Sequence, residues 1–146
     1  MASPKAATFL FGLLFLAVPT TAESPFAGIW DGRINGLRGI IINIEDSGDK
    51  IVGTMTFYLQ ILGDDGKWRV TGKVIEPLMR PRMEGKIVVF EVSHRYAHPG
   101  ESYDRDRHVK YRMELTSGDE ALLRYINYYP NSGPLRIVRR RLHYRK

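Results

Sequence analysis

From residue 26 onward, apolar and polar residues alternate in twos, and no stretch carries apolar residues at i, i+3, i+4 and i+7 over helical length. Each alternating or β-branched run ends in a cluster of Gly, Asp, Asn or Pro, as strands broken by turns do. Eight main strands are predicted, at 26–34, 37–45, 50–60, 67–75, 87–95, 108–116, 121–129 and 135–144. Asn35-Gly36 predicts a tight hairpin, because both central positions of such a turn need φ > 0. The stretch EPLMRPRM, at 76–83, holds two prolines, so any strand there is short, at an edge, or irregular.

Alternation assigns the faces. Val88, Phe90, Val92 and His94 share one side of the fifth strand, and Val109, Tyr111, Met113 and Leu115 one side of the sixth. The other sides carry Glu91, Ser93, Arg95, His108, Lys110, Arg112 and Glu114. One apolar face and one charged face, with turns about every 8–12 residues, predict an all-β fold: an antiparallel, up-and-down barrel of eight strands. An interior of that size is filled by its own side chains or holds one small ligand. A membrane barrel fits less well, since charged faces inside a narrow lumen would crowd it.

The first 22 residues form a separate segment. One charge at Lys5 precedes an apolar run at 6–18, and Pro19, Thr20 and Ala22 follow in the pattern a signal peptidase reads. The run falls short of the roughly 20 residues that span a bilayer. The expectation is a signal peptide at 1–22, cleaved after Ala22, and one β-barrel domain at 23–146, exported to the periplasm or the extracellular space. The chain has no cysteine, so stability in an oxidising compartment rests on core packing and backbone ladders.

Charge changes the picture at one place only. The chain carries a formal +6, and the tail from Arg136 to Lys146 holds six basic residues and no acid, leaving the rest of the mature chain about neutral. A basic terminal strand commonly protects a sheet edge. At most it predicts weak, salt-sensitive contact with an anionic membrane surface, and no specific nucleic-acid binding.

The densest polar stretch, 90–115, contains His94, His98 and His108 with Asp104 and Asp106. His94 and His98 have a zinc-like spacing only on a helix, and His94 ends a strand while Pro99-Gly100 follows His98. His94 and His108 fall on opposite faces. The prediction is a polar loop, with no metal and no cofactor. Candidate ligand-contacting residues are those facing inward: Phe57, Phe90, His94, Tyr111, Tyr125 and Asn127.

Gly28-Ile29-Trp30 at the start of the first strand resembles the G-x-W of the calycin group, which includes lipocalins, fatty-acid-binding proteins and avidins. In that group the Gly permits close packing, the Trp plugs the closed end, and an Arg from the last strand packs across it. The resemblance implies those barrel-closing roles for Gly28, Trp30 and either Arg136 or Arg139. The later lipocalin loop motif, the terminal helix and the tryptophans of a biotin site are absent. GIWDGRI, GTMTFY and FEVSHRYAH, within 26–126, look like a group of small exported bacterial proteins with no assigned activity. Three functions follow in order of preference. The first is a binding protein for a small, largely apolar molecule in the barrel interior. The second is a structural or interaction protein using its outer wall or basic edge. The third is an enzyme with His94 as general base, which no nucleophile or phosphate-loop motif supports.

Overall fold

A computed structural model describes residues 24–47, 50–93, 108–126 and 133–141. Within them all regular structure is strand: β1 Gly28–Ile34, β2 Leu37–Asp46, β3 Ile51–Leu62, β4 Trp68–Pro77, β5 Met79–Glu84, β6 Ile87–Ser93, β7 His108–Leu115, β8 Glu120–Tyr125 and β9 Leu135–Arg139. They form one antiparallel sheet in the order β4-β3-β2-β1-β9-β8-β7-β6-β5, curled into a half-barrel. Every sequence-adjacent pair except β4 and β5 is a neighbour, and β9 returns to β1.

Nine strands, not eight, make the sheet. The ninth is β5, in the proline-containing stretch. Pro81 is tolerated because the β5–β6 register shifts between Met79 and Arg82, so no ladder donor is missed there. Arg80 takes a positive φ of 48° in the same bulge. The sheet's outermost strands, β4 and β5, are separated in the chain by Leu78 alone. Two consecutive Cα–Cα steps cannot exceed about 7.6 Å, so the sheet has to curl until its two edges meet at this corner.

The turns follow local chemistry. Asn35 and Gly36 have φ of 53° and 75°, the backbone the β1–β2 hairpin requires. A bulge between Leu59 and Gln60 leaves Thr71 as the extra residue of β4, where its hydroxyl donates to the Leu59 carbonyl at 3.3 Å.

The core lies against the concave face. Trp30, Ile42, Ile44, Met55, Val88, Phe90, Val92, Val109, Tyr111, Met113, Ala121 and Ile137 are all essentially inaccessible. Burying one such side chain is worth about 1.5–3 kcal/mol, so a dozen supply a domain's main driving force without a disulfide.

Candidate functional site: the concave face and its accessible end

Gly28 leads into β1 with φ of 125°, a conformation that favours glycine. Trp30 follows, fully buried, its indole Nε1 donating to the Phe26 carbonyl at 2.8 Å. The register pairs Trp30 with Arg139, whose guanidinium lies 4.6 Å from the ring centroid and donates to the Pro25 carbonyl. Stacking of this kind is worth about 0.5–2 kcal/mol. Arg136 plays no part in it. It differs from Arg139 in strand parity, lies on the outer face, and pairs with Glu120.

Burial falls along the concave side of β3. Met55 is 1% exposed, Phe57 is half-buried, and Leu59 and Ile61 reach 44% and 53%. On β8 it runs from the buried Ala121 and Leu123 to the half-buried Tyr125. The concave face is thus closed at the Trp30 end; toward the opposite end it becomes accessible along β3 and at Tyr125, while Val92 and Val109 on β6 and β7 stay fully buried.

Four aromatic residues from four strands gather just inside. Tyr111 stacks on Phe90 with centroids 5.5 Å apart, and meets Tyr125 at 4.9 Å and Phe57 at 6.4 Å. Alternation delivers them: Phe90 pairs with Tyr111 across β6–β7, and Tyr111 with Tyr125 across β7–β8. The Tyr111 ring is buried, and its hydroxyl has no hydrogen-bond partner among the described residues. Tyr125 is its polar neighbour, but without the geometry of a good hydrogen bond. Burial first, and Tyr125 second, push the Tyr111 phenol well above its usual range, so it remains a proton donor at any physiological pH. His94 and Asn127 lie outside the described residues, as do His98 and segment 1–22.

Sequence reading missed Glu76, the charged residue with least exposure among the described residues, at 6%. It pairs with Met55 across β3–β4 and shares the concave side of β4 with Gly72 and Val74. The signal was present: the inward alternation Gly72, Val74, Glu76 runs straight on to the buried Leu78.

Outside the sheet, charges neutralise one another. His108 lies 3.4 Å from Glu91 on the outer face. Arg140 binds Asp31 at 2.7 Å, Arg141 binds Asp119, and Arg136 binds Glu120. Three of the tail's arginines, Arg136, Arg140 and Arg141, are therefore matched by acids from β8, β1 and the turn before β8. Among the described residues no three His, Asp or Glu side chains converge as a metal site would require. No family model, curated protein or solved structure matches the chain.

Proposed function

We propose that this is an exported binding protein that holds a small, largely apolar molecule against the concave face of its sheet, in the manner of the calycin group. One observation carries the reading: a buried Tyr111 hydroxyl, unpartnered among the described residues, inside an aromatic cluster next to the accessible end. Leaving a buried donor unsatisfied costs about 1–3 kcal/mol, and a ligand with an acceptor offsets that cost. Apolar walls with one or two placed polar groups are the usual composition of small-molecule sites. The Gly28, Trp30 and Arg139 arrangement supports the calycin likeness, closing one end so that the other can receive a ligand. Pairing of Arg136, Arg140 and Arg141 with acids argues against the basic edge as the site, leaving at most weak contact with anionic surfaces.

Tyr111→Phe tests the carrying observation. In ligand-free protein it is expected to raise stability by about 1 kcal/mol in urea denaturation, because it removes an unsatisfied group. A loss of similar size would mean that the hydroxyl is already bonded within the protein, and the reading would lose its support.

An interaction protein is the second reading. Leu62, Trp68, Val70 and Ile75 lie on the outer side of β3 and β4 with 41–56% exposure, an apolar strip on an edge strand. Arg69, Lys73 and the bulge at Thr71 interrupt that edge, as guarded edges are interrupted, which favours the interior.

A further inference from the structure

β4 is one edge of the sheet, and its ladder with β3 decides which backbone groups that edge presents. The Leu78 amide donates to the Gly53 carbonyl, and the Gly63 amide to the Lys67 carbonyl. Bonded pairs alternate along an antiparallel ladder, so Glu76, Val74, Gly72 and Arg69 turn their amides and carbonyls toward β3. Those of Trp68, Val70, Lys73 and Ile75 point to the free side. The same four side chains lie on the outer face, opposite Leu62, Gln60, Tyr58 and Thr56 of β3. Ile75, the one nearest the corner, is 56% exposed, so the edge stays open along this length.

The bulge restricts what can pair there. Val70 and Lys73 both face outward, because Thr71 is an extra residue between them. A regular strand laid along this edge would match faces on one side of Thr71 and present the wrong face on the other. A second β4, running antiparallel, carries the same extra residue. Its faces match throughout when Trp68 stands opposite Ile75 of the other copy and Val70 opposite Lys73, because the two bulges then meet at the centre, Thr71 against Gly72. This register sets no like charges opposite each other. Arg69, already bound to Asp65, faces Val74, and one rung further Lys67 faces the acid Glu76. The bulge and Lys73 thus guard the edge against a foreign strand and admit an identical one.

We propose that β4 is a homodimer interface, in which two copies join antiparallel along residues 68–75 about a two-fold axis at Thr71 and Gly72. Four bonded pairs exchange about eight backbone hydrogen bonds. On the outer face Trp68, Val70 and Ile75 of both copies merge across the axis, and Leu62 extends the strip on each side. The exposed apolar residues of the edge are covered by their own symmetry mates.

The test is sedimentation velocity on the full chain from about 1 to about 500 µM, the range in which a small interface associates. The unmodified protein is expected to pass from monomer to dimer, with a blue shift of Trp68 emission over the same range. Trp30 is fully buried in either state and contributes a constant background. Val70→Lys, at a half-exposed outer position, sets a lysine opposite Lys73 of the other copy and should weaken the dimer at least about tenfold. Adding Lys73→Glu should restore it, because each new cation then faces a new anion across the axis. A monomer throughout the range overturns the proposal. So does a dimer indifferent to Val70→Lys, or one that Lys73→Glu fails to rescue. If the variants do not fold, the unmodified chain still decides: association that leaves Trp68 emission unchanged places the contact elsewhere and overturns the assignment of β4.

Discussion

Trp30→Ala is expected to destabilise the protein by about 3–5 kcal/mol, enough to unfold much of the population of a marginally stable domain. Three losses combine at this position. The ring is fully buried, and its removal opens a cavity between β1, β2 and β9. The Nε1 bond to Phe26, which holds the chain entering β1, disappears. Arg139 loses the face it stacks on, leaving a guanidinium whose Nε is buried and unpartnered among the described residues. Trp30→Phe should cost clearly less, because it keeps an aromatic face and most of the volume. Chemical denaturation of the two variants measures the difference. A Trp30→Ala loss below about 1 kcal/mol would mean that this end of the sheet is not the closed end.

Gly53→Val should give the second-largest loss, about 1–3 kcal/mol and the upper part of that range. A Cβ at Gly53 would sit 2.1 Å from the Asn43 carbonyl oxygen and 3.1 Å from Cδ1 of Leu78. The oxygen belongs to the β2 backbone and cannot retreat without breaking the ladder that pairs Ile44 with Gly53. Leu78 cannot retreat either. Its amide donates to the Gly53 carbonyl at 2.9 Å, and it is the single residue joining the two edge strands. Gly118→Ala is the control: its Cβ meets nothing within 4 Å, so its effect should stay within about 0.5 kcal/mol. Equal effects at both positions would contradict the account of the corner.

The fold class was legible because alternation is a local signal. Val88, Phe90 and Val92, then Val109, Tyr111 and Met113, reveal their buried side within a few residues. The Asn35-Gly36 hairpin was legible for the same reason. The ninth strand was not, because Pro77 and Pro81 argue locally against a strand, and only pairing with β6 shows that the second proline falls in a bulge. The stretch was expected to hold at most a short, edge or irregular strand, which β5 is, so it was left out of the main strands and Glu76 with it. The choice between Arg136 and Arg139 depends on the register of β9 against β1, strands about 100 residues apart in the chain, and no short pattern encodes it. The aromatic cluster was visible as four inward residues, but the unpartnered hydroxyl at its centre depends on three-dimensional neighbours.

The central claim is that the concave face holds a small molecule. Native mass spectrometry of the full chain, purified from its own compartment without detergent, tests it most directly. The account predicts protein carrying a discrete added mass of a few hundred daltons, released on denaturation. Protein at its bare mass throughout, with a concave face that takes up no octanol when it is supplied, would contradict it.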